Sequence, residues 1–181
     1  MADDDPPVIR SRREPPPLRP ATVDAREVRS PRLLRLTLRG DGIAALRPPE
    51  PAASVRLLVP SPGTTELVRP TWSGNEFLLP DGTRPALRTF TPLRAGDGTD
   101  PDTLAIAVVR HPGGAVSGWA ETVEAGAPAA LSGPGRGYEP DPAATRVVLL
   151  GDETALPAVD QLLEVLDPGP PVEVHLEVVV P

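Results

Sequence analysis

The chain has 181 residues, of which 39% are hydrophobic and only 3% aromatic, and its formal net charge at pH 7 is −7. It contains no cysteine, which excludes disulfides, cysteine-ligated zinc and iron–sulfur clusters, and its acidic balance argues against general nucleic-acid binding. No apolar run reaches the roughly 18 residues that a membrane-spanning helix needs, so we expect a cytoplasmic protein that inserts into no membrane and binds no nucleic acid.

Residues 1–20 are rich in proline and charge and offer little apolar surface. We expect this segment to be a disordered tail, because burial could not offset the entropy cost of ordering it. Short apolar stretches separated by Gly, Pro and Asp follow and predict strands. The clearest is 33–39, where every second residue is leucine, the period of two that is typical of a half-buried strand.

The apolar stretches that follow the tail predict a domain over 21–140. A hairpin is predicted within 69–79, with Ser73-Gly74-Asn75 as its turn, and a short helix over 115–124. Short strands spaced in this way indicate an antiparallel β-barrel or sandwich. The remaining predicted strands are 22–29, 54–59, 87–93, 103–110 and 128–131.

The pattern changes to α/β over 141–181. Residues 147–150 form a continuous apolar run, which predicts a strand buried on both faces. Helical spacing over 154–166 and an alternating strand over 172–180 complete one βαβ unit. Because a two-stranded parallel sheet is too small to be an independent layer, this unit either packs on the first domain as a partial domain or belongs to a chain that continues.

Three segments could carry chemistry, and the first is Arg88-Thr89-Phe90-Thr91. An arginine and an aromatic ring on one face of a strand can serve one ligand, with the guanidinium on a phosphate and the ring on a planar heterocycle. The alternative is that Phe90 lies in the core and Arg88 is solvated.

The second segment is His111-Pro112-Gly113-Gly114, with the helix start that follows it. Consecutive glycines allow a backbone to approach a phosphate, and free N–H groups at a helix start attract anions. The alternative is a plain glycine-rich turn with a structural histidine.

The third segment is the turn 151–157 between the apolar strand and its helix. Ligands of parallel sheets usually bind at the carboxyl ends of the strands, but this turn is no G-x-G-x-x-G fingerprint. Asp152 and Glu153 have an alternative interpretation as helix caps that complement the helix dipole.

The order and spacing of these segments resemble the siderophore-interacting protein family of the ferredoxin-reductase superfamily. The resemblance runs from about residue 22 to the end of the chain, and 151–158 is its most specific part. It implies a mixed fold, in which an antiparallel β-barrel FAD-binding domain precedes a partial ferredoxin-reductase-like α/β domain for the nicotinamide. The matching motifs are Arg88 to Pro92, His111, Gly113 to Ala120, Ser132-Gly133-Pro134 and Leu149 to Ala158.

The resemblance also implies roles for single residues. Arg88 would contact a phosphate of FAD, Phe90 would pack on the isoalloxazine, and Thr91 would lie near the flavin N5. Thr154 would lie nearest the contact between flavin and nicotinamide, which makes Thr91 and Thr154 the expected catalytic pair. The full set implied to bind the cofactors is Arg88, Thr89, Phe90, Thr91, His111, Gly113, Gly114, Ala115, Val116, Ser117, Gly151, Asp152, Glu153, Thr154 and Ala155.

The implied activity is that of a monomeric FAD-dependent reductase that passes electrons from NAD(P)H to a ferric siderophore, with no metal ligand supplied by the protein. Two departures from the family are visible: Phe90 replaces the usual tyrosine, and family members continue well past residue 181. The alternatives are a flavin reductase with another acceptor and a flavin-binding module without turnover.

Overall fold

The computed structural model of the protein describes residue 15 and residues 17–46, 50–93 and 100–179. Within these residues, ten strands and two α-helices follow the order β1 to β7, α1, β8, β9, α2, β10. The strands are β1 (Arg19–Ser30), β2 (Leu33–Arg39), β3 (Val55–Leu58), β4 (Thr71–Trp72), β5 (Phe77–Leu78), β6 (Leu87–Phe90), β7 (Thr103–Val109), β8 (Pro128–Ser132), β9 (Val147–Asp152) and β10 (Val172–Glu177). The helices are α1 (Ala115–Thr122) and α2 (Leu156–Val165).

Six of the strands form one sheet in the order β6-β3-β8-β1-β2-β7, and each neighbouring pair in it is antiparallel. The two edges of this sheet meet just after β6. There the Leu93 N–H donates to the Ala105 carbonyl at 2.7 Å, and Pro92 forms a bridge with Ile106 of β7. The sheet therefore curls as the expected barrel domain requires, and together with the α/β unit it gives the mixed fold that the sequence predicts.

The core lies inside this curled sheet and confirms the period of two in β2. Leu34, Leu36 and Leu38 are buried, and each lies opposite an apolar residue of β7, as in the pair of Leu36 with Ile106. Full burial of one such side chain contributes about 1.5–3 kcal/mol to the free energy of unfolding. Helix α1 closes one side of the core through Val116 and Ala120.

The α/β unit consists of β9 and β10, which are parallel, and of α2 between them. The prediction that β9 is buried on both faces is wrong, because Val148 and Leu150 are 48% and 73% exposed. Within the described residues α2 packs against β9, and the side chains of β9 alternate between half-buried and exposed. A continuous apolar run in the sequence therefore does not distinguish a strand covered on one face, such as β9, from a strand covered on both faces.

Several boundaries differ from the predictions. Most of the expected disordered tail lies outside the described residues, but Arg19 and Pro20 already belong to β1, where they pair with Leu131 and Ala130 of β8. The predicted hairpin is confirmed as β4 and β5.

A single 3₁₀ turn at Glu153–Ala155 precedes α2. Neither helix of the described residues is long and apolar enough to cross a bilayer.

Candidate functional site

A cleft of about 420 Å³ opens where β6, β7, the start of α1 and the turn before α2 come together. Its volume lies in the range of small-molecule sites in proteins, roughly 300–1,000 Å³. All three segments singled out from the sequence contribute to its walls. The lining residues are Arg88, Thr89, Phe90, Thr91, Ala107, Val108, Val109, His111, Gly113, Gly114, Ala115, Val116, Ser117, Thr154 and Pro157.

The first wall is the edge strand β6 and the residue that follows it. Arg88 is exposed and donates one hydrogen bond, from Nη1 to the Leu87 carbonyl at 2.9 Å. Phe90 is half-buried and packs against the core while part of it faces the cleft. The position at a sheet edge allows Thr89 and Thr91 to reach the same cleft. This wall therefore combines a cation that is available to an anion with an aromatic surface held in place by packing.

The second wall is the loop that enters α1. Gly113 has a positive φ of 75°, a conformation that favours glycine. Gly114 lies directly under the His111 ring, since a Cβ at this position would be 2.3 Å from His111 Cε1. The His111 N–H donates to Ser117 Oγ at 2.9 Å, which fixes the loop to the helix.

The backbone of this wall is suited to an anion. In any α-helix the first N–H groups have no acceptor within the helix, and here those groups belong to Ala115, Val116 and Ser117 at the cleft. The partial positive charge at a helix start favours a phosphate in front of them. Val116 and Ser117 are buried, so the helix start is held firmly against the core.

The third wall is made by the turn before α2, which contributes Thr154, and by the first turn of α2, which contributes Pro157. The Asp152 carboxylate accepts from the Thr154 N–H at 2.8 Å and from the Thr154 hydroxyl at 2.6 Å. These two bonds lower the pKa of Asp152. Asp152 is therefore a cap, as its alternative interpretation expects, but it caps the 3₁₀ turn Glu153–Ala155, whereas the N-cap of α2 is Ala155. The cap fixes the direction of the Thr154 hydroxyl.

Four predicted site residues lie behind this wall rather than on it. Asp152 caps the turn, and Glu153 accepts from Arg32 Nε at 3.0 and 3.2 Å. This contact with Arg32 lowers the pKa of the Glu153 carboxyl and raises that of the guanidinium. Gly151 allows a close approach, since a Cβ there would be 2.6 Å from the Cβ of Ala155. The four residues shape the turn and do not line the cleft.

Some lining residues were missed in the sequence. Ala107, Val108 and Val109 lie on β7 and line the cleft. The alternation of buried and half-buried residues along β7 was a usable signal for Ala107 and Val109 but not for the buried Val108. Pro157 belonged to the predicted turn 151–157 but was not among the residues expected to bind the cofactors.

Comparison with protein-family models assigns both parts of the chain. The model of a siderophore-interacting FAD-binding domain matches residues 22–138, and the model of a siderophore-interacting protein matches residues 144–181.

Individual relatives agree with these matches. An uncharacterized protein of Mycobacterium tuberculosis is 35% identical over 156 residues, which are 84% of this chain and 54% of that protein. The crystal structure of a siderophore utilization protein from T. fusca superimposes with a TM-score of 0.73 at 33% identity, covering 92% of this chain and 63% of that one. A ferredoxin NADP+ reductase from Neisseria gonorrhoeae, with a TM-score of 0.59, 15% identity and coverage of 91% of this chain and 58% of that one, shares the fold. The chain spans about half the length of the curated relatives it matches.

Proposed function

Because the chain belongs to the siderophore-interacting FAD-binding family, we propose that it is an FAD-dependent reductase that passes electrons from NAD(P)H to a ferric siderophore in the cytoplasm. In this proposal residues 21–140 form the flavin domain and residues 141–181 contribute the nicotinamide side. The single observation that carries the proposal is that one cleft is lined by Arg88–Thr91, His111, Gly113–Ser117 and Thr154.

The residues of the cleft fit FAD in chemistry. Arg88 supplies a cation for a phosphate, and the N–H groups of Ala115 and Val116 are directed at a second anionic position. A Cβ at Gly114 would meet the His111 ring, so the glycine leaves room for that ring beside the pyrophosphate position. Phe90 supplies a flat apolar surface that suits the isoalloxazine ring.

The two threonines have distinct roles in this proposal. Thr91 lies beside Phe90 on the first wall and would hold the flavin near its N5 edge. The Thr154 hydroxyl donates its proton to Asp152, so it offers only lone pairs to a bound molecule. It is therefore suited to accept a hydrogen bond from an N–H donor such as the carboxamide of a nicotinamide. Thr154 would orient the nicotinamide opposite Thr91.

The chemistry of turnover comes from the cofactor. When bound, FAD supplies the ability to take a hydride from NAD(P)H and to release single electrons to iron(III). The protein binds and orients the two molecules, and the apolar side chains of Val109 and Pro157 exclude water beside them. Iron in the chelate is substrate, and iron(II) leaves an oxygen-ligand chelator more readily than iron(III).

Purification of the chain, reconstitution with FAD and addition of NADH or NADPH with a ferric chelate test the proposal. We expect a flavin spectrum and iron(II) formation, detected with a coloured iron(II) chelator. Quinones and ferredoxin tested in parallel identify the acceptor, and faster turnover with either would favour a flavin reductase of another kind. Retained FAD without reduction would favour a flavin-binding module, and a colourless chain would overturn the proposal.

A further inference from the structure

The side chain of Gln161 joins α2 to the sheet domain by two hydrogen bonds. Its Oε1 accepts from the Ala52 N–H at 2.9 Å, and its Nε2 donates to the Pro92 carbonyl at 2.7 Å. Gln161 is half-buried. A primary amide donates from its nitrogen and accepts at its oxygen without carrying charge.

The two hydrogen-bond partners of Gln161 lie at constrained positions of the sheet domain, one beside the cleft and one in a loop with a positive φ. Pro92 directly follows Thr91, which lines the cleft, and takes part in the bridge to Ile106 that joins the edges of the sheet. Ala52 precedes β3 and has a positive φ of 56°, a conformation that residues with a Cβ rarely adopt. The bond from its N–H to Gln161 helps to hold this loop in that conformation.

Gln161 is also connected, through α2, to the third wall of the cleft. It follows Pro157 by four residues in α2, so the two residues share one face of the helix. Pro157 and Thr154 line the cleft on the α/β side, whereas Thr91 lines it on the sheet side. The amide of Gln161 therefore ties the two walls together one helical turn away from the cleft.

The other end of the same wall has its own attachment. Glu153 precedes Thr154 and is bound by Arg32 in the turn between β1 and β2. The turn with Thr154 and the helix start with Pro157 are thus fixed at Glu153 by an ion pair and at Gln161 by a neutral amide. With one attachment removed, the turn could still rotate about the other.

We propose that Gln161 is a positioning residue that sets the separation between the Thr154 wall and the Thr91 wall, and thereby the geometry in which a nicotinamide meets the flavin. This inference rests on the proposed function. Gln161 touches neither molecule, so its effect passes through Pro92 and α2. Misplacement of reacting groups by about 1 Å can cost on the order of 100-fold in rate.

The test compares Gln161→Ala and Gln161→Glu with the wild-type chain, each reconstituted with FAD. Gln161→Glu keeps the size of the side chain and the acceptor for Ala52, but its carboxylate opposes the Pro92 carbonyl. Asp160→Ala is the matched control, because Asp160 is an exposed neighbour on the same helix. Urea unfolding establishes that each variant is folded before its reaction is measured.

Two measurements follow. In single-turnover reduction by NADPH, we expect FAD affinity within two-fold of wild type, reduction at least ten-fold slower in both Gln161 variants, and a weaker long-wavelength charge-transfer absorbance. Iodide quenching of the bound flavin needs no nicotinamide, and we expect its quenching constant to rise at least two-fold as the walls separate. Asp160→Ala should change neither value.

The outcomes separate this inference from the proposed function. A wild-type chain that binds no FAD would overturn both. A wild-type chain that binds FAD but is not reduced would count against the reductase, and the iodide measurement would then decide on Gln161. Reduction and quenching within two-fold of wild type in Gln161→Ala would overturn the positioning role alone.

Discussion

Gly114→Ala tests the flavin cleft by adding one methyl group. The backbone of Gly114, with φ −78° and ψ 120°, is accessible to alanine, so the substitution requires no change of conformation. The new Cβ would be 2.3 Å from His111 Cε1 and 2.6 Å from Nε2, whereas ordinary contact begins at 3.4 Å. The imidazole must therefore move by about 1.1 Å or rotate away.

The expected result is a loss of FAD affinity without a loss of folding. His111 is exposed, so its ring can leave at little cost, and Gly→Ala at a compatible backbone position typically stabilises by about 0.4–1 kcal/mol. The displaced ring then occupies space beside the helix start where the pyrophosphate would bind. FAD titration followed by flavin fluorescence measures affinity, and urea unfolding measures stability.

Two controls isolate the cause. Gly113→Ala introduces no close contact but places a Cβ residue at φ 75°, so it should cost about 1–2 kcal/mol of stability. The double variant His111→Ala with Gly114→Ala removes the clash and should bind FAD as His111→Ala does. A clash between the new Cβ and His111 would be excluded by either of two results. Gly114→Ala could bind FAD like the wild-type chain, or the double variant could bind FAD as weakly as Gly114→Ala alone.

Three further predictions concern single side chains. Arg88→Gln should lower FAD affinity by about 10–100-fold, since a hydrogen bond to a charged group contributes roughly 1.5–3 kcal/mol. Arg84→Gln, in the segment between β5 and β6, should not lower it, and unchanged affinity in Arg88→Gln would contradict the phosphate contact. Glu153→Gln should lower the free energy of unfolding at pH 7. Because Arg32 lowers the pKa of Glu153, the stabilisation is full above the ordinary carboxyl pKa of about 4.3 and is lost as the pH falls through the folded value. Urea unfolding at pH 7 and pH 3 should show a smaller difference between variant and wild type at pH 3, and an equal difference at both would exclude the mechanism. Leu36→Ala should cost about 2–5 kcal/mol in urea unfolding, and a cost below 1 kcal/mol would contradict its place in the core.

The positions of most strands could be predicted because each buries one face of its residues. The alternating leucines of β2 are a local pattern that any half-buried strand shows, and Ser73-Gly74-Asn75 is a local turn signal. The exposure of Leu150 could not be predicted in this way. An apolar run indicates a strand but does not indicate how many layers cover it.

In the candidate site, too, local features could be predicted from the sequence and long-range contacts could not. The glycines before α1 and the arginine–aromatic pair of β6 were visible because their chemistry lies in neighbouring residues. The contact of Arg32 with Glu153 joins residues 121 positions apart in the chain, and Gln161 reaches Pro92 across 69 positions. Such contacts depend on the packing of two distant segments. For that reason Glu153 was assigned to the cofactor from the sequence, although its carboxylate is directed at Arg32.

Hydrogen exchange with and without FAD tests most directly whether flavin binds in this cleft. We expect FAD to slow exchange at the amides of 89–91 and 113–117 and to leave exchange in the hairpin of β4 and β5 unchanged. Protection confined to other parts of the chain, or no protection at saturating FAD, would contradict it.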